Sequence, residues 1–502
     1  MIRLFFFPLV FFSLVACSST KLIEQNKSIG LDKIQHIVVI YAENRSFDNL
    51  YGEFPNANGI KNASSESKLQ LDTDGHVLAN LPPVWPEKKL QVGLDETNHN
   101  QSTLRNNAPY NINSLGAGHQ LSDKTPDLIH RFYQNQEQIN DGKNNRFASI
   151  SDAGGLSMGY YNGSELPMWK YAQEYTLADN FFMGAFGGSF LNHMYLVCAC
   201  APEFKNAPDE LRIKLDDNGH LLRTEKSPKS AMLGAPQYVA DNAITSDGYA
   251  VNTVQPPYQP SGIVPENKAF AEYADVHKNP LPPQTIRTIG DALNEKDVSW
   301  KWYSGGWDQA LTDGIQSPEQ TRQVIYSRLD GSLKFQAHHQ PFNYFRNFAP
   351  GTNERKVHLR DGNEFLRDIE SGKLPQVSFY KPVGANNQHP GYTDVLSGDQ
   401  HVASVVAKIQ ASPQWNSTVI IVTYDENGGF WDHVSPPKGD RWGPGTRIPA
   451  IIISPFAKRH FIDHTVYDTG SILKFISLRY DLKPINGVRN FVGDITSALD
   501  IN

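Results

Sequence analysis

Apolar residues in this chain come in short runs, and four of them have the length of strands: residues 34–42, 376–381, 417–424 and 448–454. The first and third are continuous and β-branched, as strands buried on both faces require. Helical spacing of apolar residues predicts helices over 363–371, 400–411 and 468–480, and Asp399 is placed to cap the second of these. Strands interleaved with amphipathic helices at both ends of the chain predict one doubly wound α/β core around a mostly parallel sheet. Residues 52–118 and 205–285 break the pattern, being rich in Pro, Asn and Gly with weak periodicity. They are expected to be long insertions that wrap the core and help roof a site.

Two of the strand-like runs end in an abrupt change of polarity. The run His36–Ala42 passes into Glu43-Asn44, and Thr418–Tyr424 passes into Asp425-Glu426. In a parallel sheet, ligands collect at the carboxyl ends of the strands. If the two strands are neighbours, Glu43, Asn44, Asp425 and Glu426 surround one point with oxygen. Such a cage suits one hard divalent cation, Ca²⁺, Mg²⁺ or Mn²⁺, better than Zn²⁺. Turn chemistry alone also explains both clusters. No Walker loop, Rossmann glycine fingerprint or Gly-x-Ser-x-Gly elbow is present.

In Phe186-Gly187-Gly188-Ser189-Phe190, two glycines precede a serine and an apolar run follows. Glycine permits a sharp turn, and Ser189 then falls at a helix N-terminus, where free amides favour an anion. A hydroxyl there is placed to attack phosphorus, with a simple N-cap as the plainer alternative. His119, His338, His339 and His389 lie among Gly, Pro and amides, and so in loops of the kind that hold catalytic groups. His130, His193, His401 and His433 are read as surface or structural, although His433 closely follows the second carboxylate cluster.

The start of the chain has its own pattern. Arg3 followed by an apolar stretch from Leu4 to Val15 resembles an export signal, too short to span a bilayer. Leu14-Val15-Ala16-Cys17 resembles a lipobox, so residues 1–16 are expected to be removed and Cys17 lipidated, with 17–30 as a tether and 31–502 as one catalytic domain. The other two cysteines, Cys198 and Cys200, lie in an apolar run. If that run is helical throughout, their thiols point to different faces and remain free. The formal net charge of −7 argues against nucleic acid as a partner.

Four segments in order, His36–Tyr51, Gly184–His193, His389–His401 and Ile420–His433, resemble the bacterial phosphoesterase family. That family holds acid phosphatase A type enzymes, known for inhibiting the respiratory burst, and phosphatidylcholine-type phospholipases C. The resemblance implies an alkaline-phosphatase-like α/β sandwich, one metal at the strand ends and a phosphoenzyme intermediate. It implies Glu43, Asn44, Asp425 and Glu426 as metal ligands and Ser189 as nucleophile. It also implies His119, His338, His339 and His389 as the phosphate pocket, with His389 protonating the leaving oxygen.

Ser189-Phe190-Leu191-Asn192-His193 resembles the phosphatases, where the phospholipases show threonine followed by Asp-Pro-Asn-Arg. The chain also ends near residue 502, without the extra β domains usual in those lipases. The expectation is therefore a metal-dependent acid phosphatase acting on small phosphomonoesters, most active below pH 7 if a histidine must be protonated. It is expected to be exported and held by its lipid on the outer membrane or periplasmic face. A phospholipase C acting on choline-type lipids, and a non-enzymatic surface lipoprotein stabilised by a cation, are the alternatives.

Overall fold

The computed structural model describes residues 30–85, 105–113, 120–327 and 334–501. Residues 1–29, with the signal-like segment and Cys17, and residues 114–119, with His119, lie outside the described residues. In chain order the elements that carry the argument are β1 (His36–Ala42), α1 (Phe47–Tyr51), α2 (Pro167–Glu174), β2 (Thr176–Ala178) and α3 (Ser189–Cys198). They continue with β3 (Trp300–Ser304), β4 (Leu359–Asp361), α4 (Gly362–Glu370), β5 (Val377–Lys381) and α5 (Val395–Gln410). The last are β6 (Thr418–Tyr424), β7 (Ala450–Ile453), β8 (Phe461–Asp463) and α6 (Thr469–Arg479).

Eight strands form one sheet in the order β8-β2-β7-β6-β1-β5-β3-β4. All neighbours run parallel except β7, which lies antiparallel to both β6 and β2. Every residue of β5 and β6 is buried, as is every residue of β1 after His36. Odd and even positions are therefore equally dry, and the sheet is covered on both faces, which is what a continuous apolar run demands. Helices α2, α4 and α5 pack together, and α3 packs on α6. The described parts of the two insertions hold only short helical turns, isolated bridges and one two-residue strand, and several of their residues roof the cavity described below.

The structure corrects two local expectations. Asp399 does not cap α5. That helix starts one turn earlier, at Val395, where the Asp394 side chain accepts from Ser397 N. Asp399 is inside α5, and its carboxylate accepts from Met168 N at 2.9 Å in the first turn of α2. The cysteines are not free thiols. Ala199 adopts a left-handed φ of 46° and ends α3 at Cys198, so Cys200 turns back and forms a disulfide with Cys198. The helical premise fails at that one residue. None of the described helices is long and apolar enough to cross a membrane.

Burial pushes the Asp399 carboxyl up from 3.8 to about 7, against the opposing bond from Met168. A carboxyl raised on folding destabilises the native state once ionised. Stability from this group is full below about pH 4 and lost as pH rises toward 7. Asp399→Asn is therefore expected to be more stable than the parent at pH 8, by on the order of 2–4 kcal/mol, and no more stable at pH 4. Urea unfolding at both values measures this; an equal gain at both would place the effect elsewhere.

Candidate active site

The site begins with sheet register. Ala42 pairs with Tyr424, so the next residues, Glu43 and Asp425, leave β1 and β6 side by side. Asp425 N donates to Ala42 O at 3.1 Å and continues the ladder by one bond. Both chains then turn sharply. Asn44 takes a φ of 62° and Gly428 a φ of 61°. A Cβ on Gly428 would lie 2.5 Å from Asn44 O, so only glycine lets the two turns close on each other. On the other side of β1, Ile40 pairs with Tyr380, which brings Lys381 to the same end of the sheet. Its Nζ lies 2.8 Å from Glu43 Oε1 and 3.8 Å from Asp425 Oδ2.

Ser189 is the first residue of α3, and Gly188 occupies the cap position, so the hydroxyl is not used as an N-cap. It donates instead to Glu426 Oε1 at 3.0 Å and lies 3.4 Å from Asn44 Oδ1. The Asn192 side chain pins the turn before it, donating to the carbonyls of Ala185, Gly187 and Gly188 and accepting from Ala185 N. Gly187 has a φ of 87°, and a Cβ there would meet Phe132 N at 2.3 Å. The missing side chain admits the loop that carries His130.

Five imidazoles gather near this hydroxyl. His339 contacts Glu43 Oε1 through Nε2, and its carbonyl is anchored by Trp302 Nε1 at 2.8 Å and Ser304 Oγ at 2.6 Å. His389 Nδ1 donates to Pro390 O at 2.6 Å, which leaves Nε2 to accept from Asn44 Nδ2 at 2.8 Å. His130 repeats this arrangement: Nδ1 donates to Leu128 O, and Nε2 lies 3.4 Å from Asn44 Nδ2 and 3.6 Å from Glu426 Oε1. His338 is buried beside the cavity with no hydrogen-bond partner for either ring nitrogen. His193, one turn after Ser189, donates Nδ1 to Ser189 O at 2.7 Å and stacks on His339.

The structure thus brings together Glu43, Asn44, Ser189, His338, His339, His389, Asp425 and Glu426, while His119 lies outside the described residues. Three participants escaped the sequence reading. His130 and His193, read as surface or structural, are in the cluster. Lys381 gave one signal, a lone charge ending an otherwise uncharged buried strand. His433 stands apart, with Nδ1 2.6 Å from Asp48 Oδ2, and Arg447 bonds Asp48 and Asp432 to close a buried network between α1 and the loop after β6.

The electrostatics are those of a dry pocket. Burial alone would raise Glu43, but His339, Lys381 and His389 hold it well below the usual carboxylate range. Burial raises Asp425 to about 6 against the pull of Lys381, and burial with the neighbouring Asp425 charge raises Glu426 well above its ordinary value. Burial lowers His389 to about 3, and lowers His130, His193, His338 and His339 as well. Burial thus disfavours the charged form of His389, and the charge of a bound phosphate would favour it.

The donor set fits a divalent cation. Three buried carboxylates converge beside Lys381 and the His339 ring, and among the described residues Asp425 Oδ2 has no hydrogen-bond donor. The nearby group Asp127, His130 and His389 is less suited, because both Nδ1 atoms already donate to backbone carbonyls. A cavity of about 710 Å³ opens over Ser189, His130, His338 and His389, with Asp127, Trp85, Leu233, Tyr238 and Tyr392 in its walls.

A mostly parallel sheet ending in buried carboxylates, under imidazoles and a helix-borne hydroxyl, suits a hydrolase of phosphoric esters. The chain belongs to the phosphoesterase family, whose model matches residues 34–483. It is 23% identical to phospholipase C A of Mycobacterium tuberculosis, over 94% of this chain and 78% of that protein. It is 24% identical to the non-hemolytic phospholipase C of Burkholderia pseudomallei, over 96% of this chain and 61% of that one. Among solved structures, an alkaline phosphatase superfamily protein from Vibrio parahaemolyticus is similar at a TM-score of 0.31 and 11% identity, over 75% of this chain and 72% of that one. A lipoteichoic acid synthase from Listeria monocytogenes is similar at 0.32 and 7%, over 96% and 82%.

Chelation is expected to destabilise the purified protein, because the carboxylates then repel one another unscreened. With the cation at about 100 times its Kd the difference is about 2.7 kcal/mol. Melting curves with chelator, and after return of Mg²⁺, Mn²⁺ or Ca²⁺, measure it. Superimposable curves would remove the cluster as a cation site.

Proposed function

We propose that this protein is a metal-dependent phosphatase that hydrolyses phosphomonoesters through Ser189. The observation that carries the reading is the Ser189 hydroxyl, held between Glu426 Oε1 and Asn44 Oδ1 at the start of α3 and facing a cavity beside the unpartnered ring nitrogens of His338. Glu43, Asn44, Asp425 and Glu426 would hold the divalent cation, which when bound supplies Lewis-acid neutralisation of phosphate charge.

Ser189 passes its hydroxyl proton to Glu426 Oε1, which accepts its hydrogen bond, and Oγ forms a bond to phosphorus as the bond to the ester oxygen breaks. The first-turn amides of α3 hold the charge that builds on the phosphoryl oxygens. His338 and His339 bind those oxygens, and Lys381 keeps Glu43 ionised. His389, protonated when the phosphate dianion enters, delivers its proton to the leaving oxygen. Water then attacks phosphorus, giving a proton to His389 as the Oγ–phosphorus bond breaks, and Glu426 returns its proton to the serine oxygen. Because His389 must gain its proton against burial, turnover is expected to fall from acid toward alkaline pH.

A second reading, a phospholipase C, is supported by the relatives that are phospholipases C and by the apolar walls of the cavity, among them Trp85 and Leu233. Our reading also keeps residues 1–16 as an export signal and Cys17 as the lipidated residue of an outer-membrane protein.

Ser189→Ala is expected to lower kcat on p-nitrophenyl phosphate by at least about 10³-fold, with far-UV circular dichroism and melting unchanged. Turnover within tenfold of the parent would exclude Ser189 as nucleophile. The parent is expected to cleave p-nitrophenyl phosphate with a higher kcat/KM than the phosphorylcholine ester, and the opposite ranking would establish the phospholipase reading.

A further inference from the structure

Arg45 follows directly on the turn that carries Asn44, and it is only 1% exposed. A guanidinium keeps its charge in a protein, so it needs partners once it leaves water. The partners here are neutral. Nε and Nη2 donate to Gln388 O at 3.2 and 2.9 Å, and Nη1 donates to Asn49 Oδ1 in α1 at 3.4 Å. The rings of Phe430 and Tyr161 lie against the guanidinium, at 5.1 and 5.8 Å. Among the described residues no carboxylate hydrogen-bonds to it. A buried cation held only by neutral groups is a costly way to fill space.

The carbonyl that Arg45 grips belongs to a strained residue. Gln388 has a φ of 74°, in the left-handed region that a side chain disfavours. Its side chain is pinned as well. Oε1 accepts from the Tyr424 hydroxyl at 2.5 Å, and Nε2 donates to Val395 O at 3.2 Å. A Cβ on Gly398 would lie 2.3 Å from Gln388 Cγ, so α5 is cut away to admit it. Strain that the surroundings hold from several sides marks a backbone whose direction matters. The next residue is His389.

The two segments meet residue by residue. Glu43 N donates to Asn387 O at 2.9 Å, and Asn387 Nδ2 donates to Glu43 Oε2 at 2.8 Å. Asn44 reaches the His389 ring, and Arg45 closes the join on Gln388. Without Arg45, His389 stays tied through its N–H to Asn387 Oδ1 at 3.0 Å, but the strained peptide before it is free to relax.

We propose that Arg45 is a positioning residue for His389: its fork fixes the Gln388 carbonyl and so aims the imidazole at the leaving oxygen. Arg45 is not among the described residues that line the cavity, so it acts through Gln388 and not on substrate. The inference rests on the reading of His389 as the group that protonates that oxygen.

The test compares p-nitrophenyl phosphate, whose phenolate leaves without a proton, with phenyl phosphate, whose more basic phenolate needs one. Arg45→Met is expected to lower kcat on phenyl phosphate by at least about 30-fold and on p-nitrophenyl phosphate by less than about threefold, with KM nearly unchanged. The ratio of the two kcat values does not depend on how much of the sample is folded. Arg45→Lys keeps the charge without the fork, and its ratio is expected to fall between those of the parent and Arg45→Met. His389→Ala, measured alongside, is expected to show the same unequal loss. Equal losses in Arg45→Met beside unequal losses in His389→Ala would overturn the role of Arg45. Equal losses in His389→Ala would overturn instead the reading of His389 as proton donor. Should Arg45→Met fail to fold, Arg45→Lys decides, and the parent's ratio in that variant would overturn the proposal.

Discussion

The site rests on the pairing of β1 with β6, which sets Ala42 opposite Tyr424 and releases Glu43 and Asp425 together. A shift of one residue would turn every side chain of β1 to the other face of the sheet. It would also separate the two carboxylates and move Asn44 away from Ser189. Register here is fixed by burial on both faces, so the same apolar run that makes the strand also positions the chemistry.

Around that pairing the protein gathers charges that burial disfavours. Glu43 and Lys381 stabilise each other at 2.8 Å, whereas Asp425 is raised by desolvation and the Glu43 charge, and Glu426 by desolvation and the Asp425 charge. The imidazoles are all lowered by burial. The pocket therefore favours an added cation among the oxygens and an added anion among the rings. Neither is favoured alone to the same degree, because each relieves the environment that the other creates.

Much of this was legible in the residues. The strand runs, the paired carboxylate ends and the Gly-Gly-Ser turn are local patterns with a physical cause, and each lies where the pattern placed it. What depended on tertiary direction was not legible. His130 follows the apolar pair Leu128-Ile129, which gives no sign of a site, and only the packing of residues 130–132 on the Gly187-Gly188 turn brings it to Ser189. Lys381 is significant only because β5 neighbours β1. Asp399 reads as a cap by sequence distance but serves a different helix, and the Cys198–Cys200 bond depends on one left-handed residue, Ala199.

The central strand of the sheet is also the first to be synthesised. β1 pairs with β5 and β6, which follow more than three hundred residues later. At ribosomal speeds, roughly 20–80 s separate the appearance of Glu43 from that of Asp425. During that interval β1 is an unpaired hydrophobic segment with both edges open, a hazard for aggregation. Machinery built this way has no half-finished form: a polypeptide that stops before Asp425 holds only one side of the carboxylate cluster.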